Sequence, residues 1–546
     1  MYKNILQDIF RNVLKKLGFK DEFDIEFEVP KDETYGDLST NIAMKLAKKF
    51  KKSPNIIAQD IINSIPENNF INKLDIAGPG FINITFSKDL YYELVKLLYN
   101  NKDKLGKFEL GKNKKVNVEY VSCNPTGLLH LGHGRNAALG DAIANFYEAL
   151  GYEVTREYYF NNAGKQMDNL AESIYARYIQ KIDDPNYSFP ENGYHGEYIK
   201  EIADDLIIGY KDKLKDNNPK NKDIIKKFGE QWCFDKIKKT LYRMGIKQDV
   251  YYNETSLYEE GKIDEVINFF KEKGLAYEKD NALWLKLSNM GLNEDRVIVK
   301  STGEPTYRLP DIAYHREKYI RGYDIIVDIF GSDHIATVPD VQAAIKYLGF
   351  DISKMKVVIH QFVTLTENGQ QVKMSKRTGR SYTLDDLLDE VGVDVAKFFF
   401  IMRSANTHLE FDLNLAKEQS DKNPVFYLQY AHARICSIFE KAKQQGIQLN
   451  FNLENLYFEH QSEFSLIKEL SRFDEILIKA TEKCEPQILS DYLRILAGCF
   501  HNFYHHCRII GADEKNRNSR FILVDLTRIV LNRGLQLLGI SAPERM

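Results

Sequence analysis

The sequence has no apolar run long enough to cross a membrane. Its uninterrupted apolar stretches are short, such as residues 398–402, whereas a membrane-spanning helix needs about 20 residues. Asp8, Asp21 and Glu22 stand near the beginning, and no apolar segment of the kind found in a secretory signal peptide accompanies them. We therefore expect a cytoplasmic protein with no membrane role.

Cysteine is also scarce, with six residues in a chain of 546. No two of them are spaced as Cys-x-x-Cys, so the sequence gives no support for a structural zinc site, and we predict no metal ligands. The simplest interpretation is a set of mostly buried thiols in a reducing compartment. The cysteines stand at positions 123, 233, 436, 484, 499 and 507.

The chain has no excess of positive charge. Lys and Arg number 75 against 78 Asp and Glu, which gives a net charge of -3 at pH 7. Nonspecific binding of nucleic acid depends on many cationic contacts that release counterions, so this balance argues against a strong nonspecific binder. Recognition of RNA through local basic patches stays open, for example at residues 48–52, although a solvated surface is the commoner explanation of such a patch.

The length predicts three or four domains, because one hydrophobic core rarely serves more than about 300 residues. Residues 1–105 combine helical patterns with alternation typical of a strand at 81–86, which predicts an α+β unit. From about residue 409 onward no convincing strand alternation remains. Long helical patterns such as 490–507 and 521–538 predominate there and predict an all-helical C-terminal domain.

Between these two units, predicted strands alternate with predicted helices. Residues 116–120 alternate as a strand, and apolar residues then recur at helical spacing up to residue 150. Further strands are expected at 325–330 and 356–359, and a polar helical insertion at about 180–240. This order predicts a Rossmann-type, doubly wound parallel sheet whose ligands bind beyond the carboxyl ends of the strands.

Two histidines, His130 and His133, lie where the first of these strands gives way to its helix. Gly132 lets the backbone approach a phosphate closely, and the helix N-terminus and the two imidazoles can donate to a polyphosphate. An isolated pair with this spacing more often has no ligand. A metal-binding pair is also open, although no third ligand is nearby.

A second cluster has the sequence KMSKR and occupies residues 373–377, beyond the strand expected at 356–359. Gly and Thr on both sides of the cluster indicate a surface loop. Lys373 and Lys376 can bind the β- and γ-phosphates of a nucleoside triphosphate and neutralise charge as pyrophosphate leaves. A lone K-x-x-K is usually solvated surface. The prediction of a phosphate site therefore depends on this cluster following the His130–His133 cluster in the same chain.

Four polar residues near these turns form a candidate pocket for a flat cation. Glu119 and Asn124 flank the end of the first strand. Tyr307 and Asp311 are four residues apart and would share one side of a helix that begins near Pro310. A guanidinium group binds planar anionic acceptors beside an aromatic or polar wall. Taken singly, each carboxylate is more often a helix cap or a surface ion pair.

The two clusters, HLGH at residues 130–133 and KMSKR at 373–377, resemble the HIGH and KMSKS motifs of class I aminoacyl-tRNA synthetases. Over essentially its whole length the chain resembles one family of that class, the arginyl-tRNA synthetases. Leu131 and Arg377 differ from the motif letters, and neither difference puts activity in doubt. The strings that carry the resemblance are TYGDLSTNIAMKLAKK and GPGFINI near the start, NPTGLLHLGHGRNAALGD, TGEPTYRLPDIAYHREKYIRGYD and GSDHIATVPDVQAAIKYLGF in the middle, and NPVFYLQYAHARICSI and APERM towards the end.

The resemblance implies an ATP-dependent ligase that joins L-arginine to the 3′ end of tRNA(Arg). Arginine would attack the α-phosphate of ATP to give arginyl-adenylate and pyrophosphate, and the terminal ribose hydroxyl of the tRNA would then take the arginyl group. Mg²⁺ would accompany the triphosphate without a dedicated protein site. A monomer is implied, as is a need for bound tRNA before activation. The implied domains are an additional tRNA-binding domain at 1–105, the catalytic domain at 106–360, the KMSKS loop and a connecting region at 361–408, and an anticodon-binding helical bundle at 409–546.

The resemblance also assigns the candidate residues to ligands, position by position. The arginine side chain and amino group are expected at Glu119, Ser122, Asn124, Tyr307 and Asp311. ATP is expected at Asn124, Pro125, Gly127, His130, Gly132, His133, Lys373, Met374, Ser375 and Lys376. The groups expected to act in catalysis are His130, His133, Lys373 and Lys376.

Three other functions compete with this interpretation. A class I synthetase for cysteine or glutamine would share the two motifs, but the absence of zinc-spaced cysteines opposes the first and the C-terminal strings oppose both. A noncatalytic RNA-binding relative would be expected to lose His133 or Lys376, and both are present. A small-molecule nucleotidyltransferase would have no use for the helical C-terminal domain.

Overall fold

The structure is a computed structural model and describes residues 2–19, 23–30, 32–372 and 382–546. Its first unit contains α1 (Tyr2–Lys16), β1 (Leu38–Thr40), α2 (Ile42–Phe50), α3 (Pro54–Ser64), β2 (Ile71–Ala77), β3 (Phe81–Phe86) and α4 (Lys88–Asn100). The three strands form an antiparallel sheet in the order β1-β3-β2. Helix α1 buries Leu6, Phe10 and Val13, which recur at helical spacing. The predicted α+β unit is confirmed.

The middle of the chain is built around a sheet of five parallel strands. They are β4 (Lys115–Glu119), β5 (Glu153–Phe160), β6 (Val250–Asn253), β10 (Ile325–Gly331) and β11 (Met355–His360). Their order across the sheet is β11-β10-β4-β5-β6. Helices connect these strands, as parallel pairing requires. The predicted doubly wound sheet is therefore confirmed. The connecting helices are α5 (Leu131–Ala149), α6 (Lys165–Ile182), α7 (Glu197–Tyr210), α8 (Pro219–Arg243), α9 (Thr255–Glu259), α10 (Lys262–Glu272), α11 (Arg308–Ile320) and α12 (Val338–Tyr347).

A small antiparallel sheet, absent from the sequence prediction, lies between α10 and α11. It consists of β7 (Ala276–Lys279), β8 (Ala282–Leu285) and β9 (Arg296–Val299). Asp280 and Asn281 join β7 to β8 with φ values of 54° and 57°, the conformation of a two-residue hairpin turn that favours such residues. Each strand has only four residues, which is too short for a clear alternation of apolar and polar residues.

Beyond β11 the chain forms β12 (Val363–Glu367), β13 (Gln370–Gln371), α13 (Leu384–Val391), α14 (Val393–Ile401), β14 (Leu409–Asp412) and α15 (Leu413–Lys417). Strand β14 pairs in parallel with β12. The expectation that no strand follows residue 409 is therefore wrong for these four residues, whose pattern is short and whose partner strand is distant in sequence. The boundary assigned to the last domain stays a prediction.

The C-terminal region is helical, as predicted, with α16 (Pro424–Gln444), α17 (Gln461–Leu470), α18 (Phe473–Lys483), α19 (Pro486–His506) and α20 (Glu514–Leu537). It packs on the N-terminal unit: the Tyr99 hydroxyl donates to Asp525 at 3.3 Å, and Lys468 Nζ lies 3.3 Å from Asp37. Among the described residues, no helix has both the length and the apolar character needed to cross a membrane.

Candidate active site

A cavity of about 1580 Å³ lies beyond the carboxyl ends of the central strands. This is where ligands bind in doubly wound sheets, and the volume exceeds that of a site for one small molecule. Most of the predicted site residues that the structure describes line it. They are Glu119, Ser122, Asn124, Gly127, His130, Gly132, His133, Tyr307 and Asp311. Pro125 is buried in the intervening turn and is not one of the lining residues.

The backbone bends sharply at the end of β4. Val121 and Ser122 have φ values of 70° and 44°, a left-handed conformation that is costly for a β-branched residue. Asn136 of α5 compensates by accepting a hydrogen bond from Val121 N through Oδ1 at 2.7 Å. Ser122 Oγ accepts from Tyr159 N at 3.1 Å. The bend carries the chain from the strand into the cavity wall.

Asn124 fixes the next part of this wall. Its Oδ1 accepts from Asn161 N and its Nδ2 donates to Gln166 Oε1, both at 2.9 Å. Further along, the Tyr198 hydroxyl of α7 donates to Thr126 O at 2.8 Å. The segment between strand and helix is therefore held by three different parts of the chain.

The two histidines of HLGH cap helix α5 and stack on each other. His130 Nδ1 accepts from Gly132 N at 3.1 Å and from His133 N at 3.3 Å, and His133 Nδ1 accepts from His130 N at 3.3 Å. The ring centroids are 3.6 Å apart. A Cβ on residue 132 would lie 3.0 Å from His130 Cε1, so glycine gives the ring room to fold back. The helix N-terminus was expected to donate to a phosphate, but the N–H groups of Gly132 and His133 already donate to the His130 ring.

Both rings are neutral near pH 7. Burial lowers the pKa of His130, and it lowers that of His133 to about 3, with His130 and His360 acting in the same direction. Because each Nδ1 accepts a backbone hydrogen bond, the proton of the neutral ring lies on Nε2. Each histidine can therefore donate one hydrogen bond to a ligand. His360, another cavity residue, is neutral as well, since burial lowers its pKa to about 4.

Glu119, Glu254 and Asp311 lie near one another in the cavity wall. Burial raises the pKa of Asp311 to about 7; the nearby Glu119 and Glu254 add to this rise, while His315 and Lys318 oppose it. Asp311 lies in the first turn of α11, four residues after the exposed Tyr307. An acidic, partly desolvated site of this kind favours a cation.

Glu254, which follows β6, was not predicted. It accepts from the Tyr159 hydroxyl at 2.8 Å and from Asn161 Nδ2 at 2.7 Å. Burial raises its pKa, although these hydrogen bonds favour the ionised form. Its position directly after a strand is the signal that could have identified it, but β6 itself was not recognised.

The second predicted cluster cannot be placed in this geometry. Lys373, Met374, Ser375 and Lys376 lie outside the described residues, as does Arg377. Among the described residues, no group of three or more His, Cys, Asp or Glu side chains is arranged to hold a metal ion.

Comparison with known proteins matches almost the whole chain. The family model "tRNA synthetases class I (R), catalytic domain" covers residues 93–409, "Arginyl tRNA synthetase N terminal domain" covers 4–86, and "DALR anticodon binding domain" covers 428–546. An arginine–tRNA ligase of Carboxydothermus hydrogenoformans is 42% identical over 542 residues, which are 98% of this chain and 97% of that protein. The chain belongs to the arginyl-tRNA synthetase family.

Other relatives of the arginyl-tRNA synthetase family agree. An arginine–tRNA ligase of Desulfotalea psychrophila is 46% identical over 95% of this chain and 94% of its own. A Campylobacter jejuni crystal structure assigned to the arginyl-tRNA synthetases has a TM-score of 0.76 and 32% identity, covering 84% of this chain and all of that one. The Thermus thermophilus arginyl-tRNA synthetase matches in fold, with a TM-score of 0.77 and 22% identity over the full length of both chains.

Membership of the arginyl-tRNA synthetase family confirms the predicted fold class and function. The protein is a class I enzyme that activates arginine with ATP and charges tRNA with it. The rival interpretations, a synthetase for another amino acid, a noncatalytic relative and a small-molecule nucleotidyltransferase, are thereby set aside.

Proposed function

We propose that the two ends of the cavity divide the substrates of this arginine–tRNA ligase. The acidic end, with Glu119, Asp311 and Glu254, would take the guanidinium group of arginine, and Tyr307 would cover it. The end formed by His130 and His133 would take ATP. The observations that support this division are the mutual interaction of Glu119, Glu254 and Asp311, and the neutral imidazoles of His130 and His133, in the wall of one cavity.

The proposed chemistry requires no protein nucleophile. The arginine carboxylate displaces pyrophosphate at the α-phosphate of ATP, and the protein contributes positioning and electrostatic stabilisation. Nε2–H of each histidine would donate to phosphate oxygens whose charge grows in the transition state. Because both rings are already neutral, this donation needs no proton rearrangement. Lys373 and Lys376 are proposed to bind the leaving pyrophosphate, on the resemblance of their motif alone.

Mg²⁺ is proposed to arrive with the triphosphate. In the part of the chain that the structure describes, no group of three or more His, Cys, Asp or Glu side chains is arranged to hold the ion by itself. Phosphate oxygens and water would therefore supply most of its coordination.

Rejection of lysine follows from the shape of the acidic end. Carboxylates on separate elements, β4 and α11 among them, can each accept from a different edge of the flat, five-donor guanidinium group. An ammonium group would leave some of these buried acceptors unpaired, which is the most effective basis for discrimination.

The remaining partners and domain roles are also proposals. We propose that residues 1–105 and 409–546 bind tRNA(Arg), the latter at its anticodon, and that the enzyme acts as a cytoplasmic monomer. We further propose that arginine activation needs bound tRNA. Pyrophosphate exchange measured with and without tRNA tests the last statement, and equal rates would refute it.

Aminoacylation of total tRNA with a panel of radiolabelled amino acids tests the proposed assignment of the acidic end. Wild-type enzyme should charge arginine only. An Asp311→Ala variant should lose arginine affinity and still bind ATP, because the two ligands occupy opposite ends of the cavity. An unchanged KM for arginine in this variant would show that the pocket has been misassigned.

A further inference from the structure

A row of three buried carboxylates crosses the sheet at the arginine end of the cavity. Asp328 on β10 pairs in register with Glu119 on β4, and Glu119 pairs in register with Glu157 on β5. Their exposed fractions are 0%, 3% and 0%. Adjacent like charges repel strongly where water is excluded, so each carboxylate needs its own partner.

The two outer members of the row have partners on both oxygens. Glu157 accepts from Arg321 Nη1 and Nη2 at 2.6 and 2.7 Å in a bidentate pair. Asp328 Oδ1 accepts from Lys318 Nζ at 2.5 Å, and its Oδ2 lies 3.3 Å from His315 Nε2. Burial opposes ionisation of Asp328, yet Lys318 and His315 hold its pKa below the usual range.

Glu119, the central member, differs from its neighbours. Its Oε2 accepts from Lys318 Nζ at 2.5 Å, whereas no described residue donates a hydrogen bond to its Oε1. Glu119 also lines the cavity, together with Asp311. Lys318 is fully buried, at 0% exposure, so its ammonium group serves the two carboxylates and has no contact with solvent.

We propose that Lys318 is a positioning residue for arginine recognition: by donating to Oε2 of Glu119 and to Oδ1 of Asp328, it fixes the Glu119 carboxyl group and leaves Oε1 for the guanidinium group. Asp311, Tyr314, His315 and Lys318 recur along α11 at the spacing of one helix face. Helix α11 therefore carries both Asp311, which would contact the guanidinium group directly, and Lys318, which fixes the position of Glu119. This inference rests on the proposed arginine end of the cavity.

The test is a Lys318→Met variant, which keeps the length of the side chain and removes its charge. We expect KM for arginine to rise about tenfold or more, with kcat and the KM values for ATP and tRNA within about twofold of wild type. The matched control is Lys300→Met, because Lys300 lies on the surface and, among the described residues, forms an ion pair only with Glu304. This control should leave every parameter unchanged.

The pH profile gives a second readout that a purely structural role would not change. Lys318 lowers the pKa of Asp311, which also faces His315, Glu119 and Glu254, so removal of the ammonium group should raise that pKa above its wild-type value of about 7. In Lys318→Met, the fall of the arginine KM with rising pH should therefore occur at higher pH than it does in wild type.

An arginine KM equal to that of wild type at every pH, in a folded Lys318→Met protein, would overturn the proposal. A parallel loss of all three substrate affinities would overturn it too, since that indicates a structural role. If Lys318→Met does not fold, the double variant Lys318→Met/Asp328→Asn takes its place, because it removes one negative charge together with the positive one. An unchanged arginine KM in the double variant would again refute the proposal. An unchanged arginine KM in Asp311→Ala would instead refute the proposed arginine end of the cavity.

Discussion

Asp311 gives the sharpest prediction, because its carboxyl changes charge in the range where the enzyme can be assayed. Burial raises its pKa to about 7, so the free enzyme at pH 6 is mostly protonated at this position. A guanidinium ion binds the ionised form. Arginine binding therefore releases a proton, and the affinity for arginine must rise as the pH rises through 7.

The size of the effect follows from the pKa. A carboxyl with a pKa of about 7 is roughly 9% ionised at pH 6 and roughly 91% at pH 8, so arginine affinity should rise about tenfold across this interval. Asp311→Asn keeps the shape and removes the charge. Loss of a charged hydrogen-bond partner costs about 2 to 3 kcal/mol, which is roughly 30- to 150-fold in affinity at pH 8. At pH 6 the difference should shrink to roughly 3- to 15-fold.

The assay is steady-state arginylation at pH 6, 7 and 8, with ATP and tRNA saturating and arginine varied, supported by calorimetry of arginine binding. Asp280→Asn is the matched control, since Asp280 is an exposed hairpin residue whose left-handed φ of 54° suits asparagine. If arginine affinity rose equally with pH in wild type and in Asp311→Asn, the prediction would be refuted, because the rise is assigned to the Asp311 carboxyl group.

Three further changes test other parts of the site. His133→Ala should lower kcat about 100-fold through loss of one phosphate donor. In wild type, His133 itself should not titrate between pH 6 and 8, because burial lowers its pKa to about 3. A kcat of the variant within a few-fold of wild type would contradict this role. Arg135→Ala should lower the free energy of unfolding by about 3 to 5 kcal/mol, because the buried guanidinium group of Arg135 donates to three backbone carbonyls. Urea titration measures this loss, and an unchanged unfolding midpoint would contradict the prediction. Glu254→Gln should raise KM for arginine and leave KM for ATP unchanged, and the reverse pattern would assign Glu254 to the ATP end.

Local patterns were sufficient to predict most of the framework. The alternation at residues 116–120 and the glycine-bearing turn after it identified β4 and the start of α5. The helix expected to begin near Pro310 is α11, with Tyr307 at its N-cap and Asp311 in its first turn. Such signals lie within about one turn or strand of sequence, where periodicity is informative. The resemblance to a known family then supplied the order of the domains.

Contacts between distant residues could not be predicted in this way. Lys318 and Glu119 are 199 positions apart, and nothing in either neighbourhood indicates that one ammonium group serves two strands. The same applies to Glu254, which depends on the unrecognised strand β6. His130 was expected to leave the helix N-terminus free for phosphate, but its own ring accepts those N–H groups, a detail that requires the backbone angles at the cap.

The central claim is that arginine and ATP bind at opposite ends of one cavity. The most direct test is a crystal structure of the enzyme with a non-hydrolysable arginyl-adenylate analogue. We expect the guanidinium group within hydrogen-bond distance of Glu119 and Asp311, and the phosphate mimic beside Nε2 of His130 and His133. A guanidinium group bound elsewhere, or an analogue in the opposite orientation, would contradict it.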